Sequence, residues 1–214
     1  EQRAFLRRDR SAWAGHLGQV RGFLAEGFRR ARKDGPVLVL GAGSGLEVPW
    51  AEAPARTFGW DADPWSRVRT FLRHGRWVPW IFEDATGAFQ DLQHLLVRTL
   101  GHPWSGRRRT PEAALARLAG LLPSLRPEAL SLRAWLQRHR PGAVLAANFM
   151  GQLGVVAEGL VEAAFAPWPP WEEDPERRDP LAEALDAWVG RVLRAFLSDL
   201  GASDADIWLV HDRG

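Results

Sequence analysis

A glycine-rich turn directly after a short apolar run constrains the fold of this 214-residue chain more than any other feature. The apolar run is Val37 to Leu40, and it continues into Gly41, Gly43 and Gly45. This pattern predicts a buried parallel strand followed by a turn whose backbone angles only glycine adopts easily. A second apolar stretch ends about twenty residues later on Asp61, so the segment predicts a nucleotide-binding βαβ unit with an acid at the second strand end.

The spacing of these glycines excludes two common nucleotide-binding motifs. The dinucleotide fingerprint G-x-G-x-x-G needs a glycine where Leu46 stands, which disfavours a nicotinamide-dependent oxidoreductase. A phosphate-binding Walker loop needs a Gly-Lys-Ser/Thr sequence, but the chain has one lysine, Lys33, and it precedes the strand. The cofactor is therefore expected to be neither a nicotinamide dinucleotide nor a nucleoside triphosphate held by such a loop.

The G-x-G-x-G spacing with a downstream acid resembles the class I S-adenosylmethionine-dependent methyltransferases. The resemblance implies that the glycine loop approaches the amino-acid part of the cofactor and that Asp61 binds its ribose. It also implies that Asp84, after the third strand, contacts the adenine amino group. The cofactor-binding residues that follow from it are Gly41, Ala42, Gly43, Gly45, Asp61, Ala62, Asp84, Ala85 and Asn148.

Three polar residues near the ends of later strands are the candidates for catalysis. Asn148 and Gln152 follow the apolar run 143–147, where the resemblance puts the loop that borders the methyl group. His211 ends the predicted strand 206–211, and an imidazole can act as a base near neutral pH. Gln152 could instead be an exposed helix start, and His211 a structural strand-end residue. Asn148 lacks a following Pro-Pro-aromatic sequence, which argues against methylation of nucleobase amino groups or glutamine.

Each site residue also has an ordinary structural interpretation. The glycine turn could bind no ligand at all. Asp63 precedes Pro64, a common pair at helix starts, and it fits a helix-capping role better than Asp61 does. Asp84 could likewise cap a helix that begins near Ala88.

The order of elements predicts an α/β fold: a Rossmann-like open parallel sheet with helices on both faces. Residues 1–214 form one methyltransferase-like domain in this prediction, with N-terminal helices over 1–34 and a core over 35–214. A helical insertion, 88–140, separates the third and fourth strands, and the C-terminal antiparallel strands usual in the family could be missing. The predicted strands are 37–40, 56–60, 77–82, 143–147 and 206–211. The predicted helices are 46–53, 65–74, 91–100, 111–122, 131–140, 152–165 and 180–200.

Charge and composition restrict the partners. The chain has 28 basic and 26 acidic residues, a formal net charge of +2, which gives no sustained basic face for nucleic acid. There is no cysteine for a disulfide or a thiolate metal site, the histidines lack ligand spacing, and no metal is expected. No apolar run is long enough to span a membrane, so no membrane partner is expected.

The prediction is thus an S-adenosylmethionine-dependent methyltransferase that modifies a small molecule or a peptide or protein side chain, in the cytoplasm. Trp168 and Trp171, in a proline-rich segment, are expected to form a lid over an apolar acceptor, and the alternative is that they pack against the helical insertion. The alternative is a non-catalytic methyltransferase-like domain that acts as a binding or scaffold module. The oligomeric state stays open.

Overall fold

The fold is seen in a computed structural model that describes residues 10–43, 46–100, 111–126, 130–147, 149–166 and 175–210. The strands are β1 (Val37–Leu40), β2 (Thr57–Trp60), β3 (Trp80–Ile81), β4 (Ala143–Ala147) and β5 (Asp206–Val210). The helices are α1 (Arg10–Arg30), α2 (Trp65–His74), α3 (Ala88–Leu100), α4 (Pro111–Leu121), α5 (Leu130–His139), α6 (Phe149–Phe165) and α7 (Pro175–Gly201). Short 3₁₀ turns cover Trp50–Glu52 and Leu122–Ser124.

The five strands form one sheet in the order β3-β2-β1-β4-β5, and every neighbouring pair is parallel. All residues of β1 and β4 are buried, which explains why both read as uninterrupted apolar runs. The predicted α/β class with a parallel sheet is confirmed, and the strand order is consistent with a Rossmann-like fold. The chain order reverses between β1 and β4, so the topological switch point lies beside the end of β1.

The chain divides into two compact units, each made from separate chain segments. The first comprises residues 1–85, 134–149 and 200–214 and contains the sheet; the second comprises 86–133 and 150–199. Most of the predicted 88–140 insertion belongs to the second unit, together with all but the first residue of α6 and all but the last two residues of α7. The single-domain organisation of residues 1–214 stays a prediction.

In the sheet unit, helices contribute to both faces of the sheet. Leu24 and Phe28 of α1 belong to one buried cluster with Val39 and Leu145, which lie on the same face of the sheet. On the opposite face, Phe58 meets Trp135 of α5 with the ring centroids 5.6 Å apart. The central strands are thus removed from water on both sides.

The helical unit has two polar links that hold α7 to other elements. The guanidinium of Arg191 donates to the carbonyl oxygen of Leu122 at 2.9 Å. Arg133 donates through Nε and Nη2 to Oδ1 of Asp199 at 2.9 and 2.8 Å. Phe89 of α3 also packs edge-on against the buried Trp188.

Two predicted elements are shorter in the structure by more than one residue, and proline explains both. A helix was expected over 46–53, but only the turn Trp50–Glu52 forms, because a residue before proline, here Val48 before Pro49, is pushed away from helical angles. The strand expected over 77–82 is reduced to Trp80–Ile81 at the sheet edge, since Pro79 has no N–H to donate. No helix in the described part of the chain is both long and apolar enough to cross a membrane.

Candidate functional site

The turn after β1 lies at the carboxyl end of a central strand and has left-handed backbone angles. Gly41 has φ of 59° and Gly43 has φ of 50°, values that are strained for residues with a Cβ. The N–H of Gly41 still donates to the carbonyl oxygen of Trp60 at 2.9 Å, so the chain leaves the sheet only after this residue. Ala42 between the two glycines is buried.

The Asp61 carboxylate bridges this turn and the end of β2. Its Oδ2 accepts a hydrogen bond from the N–H of Gly43 at 2.7 Å, and its Oδ1 accepts from the N–H of Asp63 at 2.8 Å. The side chain is half-buried, and Ala62 beside it is exposed. A carboxylate offers about four acceptor positions, and the described residues of the chain fill two of them at Asp61.

Asp63 has the structural role that the sequence suggested for it. Its Oδ1 accepts from the N–H of Trp65 at 2.9 Å in the first turn of α2, and Pro64 already has helical angles. Its Oδ2 receives a second hydrogen bond from Arg69 at 2.7 Å. The helix-capping interpretation of Asp63 is therefore confirmed, and Asp61 is the acid that faces the glycine turn.

The segment after β3 lies at the same edge of the sheet, because β2 and β3 are parallel neighbours. Asp84 in it is half-buried and Ala85 is buried. The buried indole of Trp60 donates from Nε1 to the carbonyl oxygen of Glu83 at 2.8 Å, which ties this segment to the end of β2. At the start of α3, the N–H of Ala88 donates to the hydroxyl of Thr86 at 3.2 Å.

Of the four remaining predicted site residues, the structure describes one, Gln152. Gly45, Asn148 and His211 lie outside the described residues, as do Trp168 and Trp171 of the expected lid. Gln152 is exposed on α6 and belongs to the helical unit; it lies three residues after the helix begins, near the exposed helix start that was its alternative interpretation.

The sequence did not single out two aromatic residues that support this site. Phe149, the first residue of α6, packs on Gly41: a Cβ added there would lie 2.6 Å from Cδ2 of the ring. Trp60 is the other, through its bond to the segment after β3. The sequence does contain a signal for Trp60: this residue directly precedes Asp61, and a buried indole N–H needs a hydrogen-bond acceptor.

The turn leaves space and hydrogen-bond acceptors for a ligand. Among the described residues, a Cβ added at Gly43 would meet only the carbonyl oxygen of Gly41, at 3.8 Å, so backbone could approach a ligand closely there. The acceptor positions of Asp61 that the described residues leave open suit a pair of neighbouring hydroxyls. No group of three or more potential metal ligands occurs in the described part of the chain.

Comparisons of the chain with protein-family models, with curated proteins and with solved structures gave no match.

Proposed function

We propose that this protein is an S-adenosylmethionine-dependent methyltransferase whose acceptor is a small molecule or a peptide or protein side chain. The observation that carries the proposal is the hydrogen bond from the N–H of Gly43 to Asp61, at 2.7 Å. It joins a glycine turn and a strand-end acid at the carboxyl edge of a parallel sheet, beside the switch point, where α/β folds bind their ligands. The cytoplasm is the proposed location, because it follows from this cofactor.

In this proposal, different residues bind different parts of the cofactor. Asp61 would accept hydrogen bonds from the ribose hydroxyls, the backbone at Gly43 would allow close approach, and Asp84 would bind the adenine amino group. S-adenosylmethionine supplies a methyl group on a positively charged sulfur, which is already activated for transfer. The protein's remaining contribution is then to align the acceptor, a role that we assign to Asn148, Gln152 and His211.

Titration calorimetry of the intact protein with S-adenosylhomocysteine tests the cofactor. The wild-type protein is expected to bind it, and Asp61→Asn to raise Kd at least about tenfold, because a charged acceptor is lost. The matched control is Asp63→Asn, two residues away, which preserves the helix cap and is expected to leave Kd unchanged. A parallel fluorescence titration with NADH is expected to show no binding.

Two results would contradict the proposal. One is the absence of S-adenosylhomocysteine binding by the wild-type protein. The other is an equal loss of affinity in both aspartate variants, which would make the effect a general consequence of disturbing this edge of the sheet.

A non-catalytic binding or scaffold domain is the second candidate, and one observation favours it. The turn is supported from within the protein, since Asp61 bonds to two backbone amides and Phe149 packs on Gly41. Such a turn needs no ligand for its stability. Methyl transfer to any member of a metabolite and peptide panel would exclude this candidate, whereas cofactor binding without turnover on the whole panel would favour it.

A further inference from the structure

Helix α2 in the sheet unit has its polar and apolar side chains distributed in the reverse of the usual pattern. Trp65 is 64% exposed, Leu72 is 77% exposed and Phe71 is 41% exposed. Ser66 and Thr70, by contrast, are almost fully buried. A helix that only covered a sheet would turn its large apolar side chains inward. The arrangement therefore leaves an apolar surface of α2 in water.

These exposed side chains lie side by side along the helix, with the half-buried Val68 among them. At 3.6 residues per turn, Phe71, Val68, Leu72 and Trp65 follow one another around a continuous arc of the helix surface. We call these four residues the α2 stripe. Ser66 and Thr70 lie outside this arc, on the buried side. The stripe is thus one connected strip on the convex surface of a helix.

A further tryptophan extends the exposed aromatic surface. Trp77, after the end of α2, is 56% exposed and meets Phe71 edge-on with the ring centroids 5.1 Å apart. The guanidinium of Arg67 stacks on the ring of Trp77, with its Cζ 3.9 Å from the ring centroid. The side chains are therefore held in place by one another.

Arginines border the α2 stripe on both sides. By the same helical geometry, Arg67 lies next to Phe71, while Arg69 and Arg73 lie beyond Trp65 on the opposite border. Arg69 pairs with Asp63, the acid that caps the helix. The whole chain has a net charge of only +2, so this concentration of arginine is local.

The charge on these borders determines which occupant suits the surface. A second copy of the chain, packed stripe against stripe, would bring arginines close to arginines. An occupant with an anionic surface layer above an apolar layer suits both the arginines at the borders and the apolar side chains between them. Tryptophan prefers such a boundary, and arginine can keep its aliphatic stem in the apolar layer while its guanidinium stays at the charged level.

We propose that the α2 stripe, with Trp77, binds the surface of an anionic phospholipid membrane, with α2 lying parallel to it. Trp65 and Leu72 enter the headgroup boundary, and the bordering arginines contact lipid phosphates. This interaction is peripheral, requires no membrane-spanning segment and does not depend on the proposed methyltransferase activity.

Vesicle flotation with the full-length protein tests the proposal. Binding is expected to vesicles of phosphatidylcholine and phosphatidylglycerol in equal parts, and not to vesicles of phosphatidylcholine alone. Leu72→Glu is expected to lower the partition coefficient about tenfold or more, because binding no longer transfers the apolar surface of a leucine from water into the membrane. The matched control is Val155→Glu, at a valine of α6 that is 68% exposed, which is expected to bind like the wild type.

A second variant tests the electrostatic part. Arg73→Gln is expected to weaken binding to the anionic vesicles about fivefold, whereas Arg138→Gln, at an exposed arginine of α5, is expected to have no effect. Circular dichroism melting of each variant checks that folding is retained, which is expected because all four substituted side chains are exposed.

Three outcomes would overturn the proposal. The first is no flotation of the wild-type protein, or equal binding to both kinds of vesicle. The second is a dimer in size-exclusion chromatography that Leu72→Glu dissociates, which would make a second copy the occupant. The third is binding to polyglutamate, lost in Leu72→Glu, without binding to vesicles, which would indicate an acidic protein partner.

Discussion

Two glycines of the turn after β1 have left-handed backbone angles, but the protein surrounds them differently. A Cβ at Gly41 would lie within 2.6 Å of the Phe149 ring, whereas among the described residues one at Gly43 would meet nothing nearer than 3.8 Å. Gly41 thus has both a conformational and a packing requirement, and Gly43 has only the first. The two positions separate backbone strain from steric exclusion within a single turn.

We expect Gly43→Ala to lower the free energy of unfolding by about 1 kcal/mol, the cost of left-handed angles for a residue with a Cβ. Gly41→Ala is expected to lower it by about 3 kcal/mol, because Phe149 must also move away. Urea unfolding followed by circular dichroism measures both values. Equal losses would show that Phe149 does not restrict the space at Gly41.

A double variant isolates the steric part of this effect. In a Phe149→Ala background, which removes the ring, the additional cost of Gly41→Ala is expected to fall to about that of Gly43→Ala. An unchanged cost in that background would contradict the contact between the ring and the turn.

The residue-level predictions from sequence succeeded where the information was local. The cap formed by Asp63 depends on its place before Pro64, and the strand-end position of Asp61 depends on the apolar run before it. The packing of Phe149 on Gly41 joins residues from separate chain segments. No local pattern specifies such a contact, because it depends on how the strands are ordered in the sheet.

At the scale of elements, α1 contains four glycines, of which Gly22 and Gly27 have opposite surroundings. Gly22 is exposed, and among the described residues an added Cβ would meet no atom within 4 Å. Gly27 is buried, and its added Cβ would lie 2.9 Å from Cγ of Trp208 in β5. The absence of a side chain at Gly27 is what allows α1 to approach this strand closely.

Alanine at these two positions is expected to change stability in opposite directions. Gly22→Ala should raise the free energy of unfolding by up to about 1 kcal/mol, because alanine favours helix more than glycine does. Gly27→Ala should lower it by about 1 to 3 kcal/mol, since the indole of Trp208 must shift. Thermal and urea unfolding of the two variants measure the difference, and a gain in stability from both would rule out close packing at Gly27.

Element boundaries could be predicted where periodicity or burial is strong. The helix predicted over 65–74 and the strand predicted over 143–147 have the same bounds in the structure. Periodicity does not reveal which side of a helix is buried, however. Only the fold shows that the apolar side of α2 is exposed. A helix that lies on a membrane surface also lacks the long apolar run by which a membrane-spanning helix is recognised in a sequence.

For the whole molecule, the question is whether the two compact units unfold together. The pair Arg133–Asp199 lies in the helical unit, and its carboxylate is only 7% exposed. Removal of the arginine would leave this buried charge without its ion-pair partner. Gly41 lies in the sheet unit, so a variant of each residue perturbs one unit only.

If residues 1–214 form a single domain, Arg133→Ala and Gly41→Ala should both shift one common unfolding transition. The loss from Arg133→Ala is expected to be about 2 to 3 kcal/mol, because Asp199 loses a charged hydrogen-bond donor. Arg140→Ala is the control, since its pair with Asp204 is exposed and such pairs contribute less than about 1 kcal/mol. Differential scanning calorimetry that resolves two transitions, each shifted by one variant, would contradict the single-domain prediction.

The contact between α1 and Trp208 has a consequence during protein synthesis. Phe23, Gly27 and Arg30 of the first described helix all meet this indole, which belongs to the last strand in the described order. A ribosome releases α1 long before it has made β4 and β5, so the inner side of that helix remains uncovered through most of translation. Nascent chains that stop before β5 are therefore expected to need chaperone binding or to aggregate, while a chain that includes β5 covers the same surface.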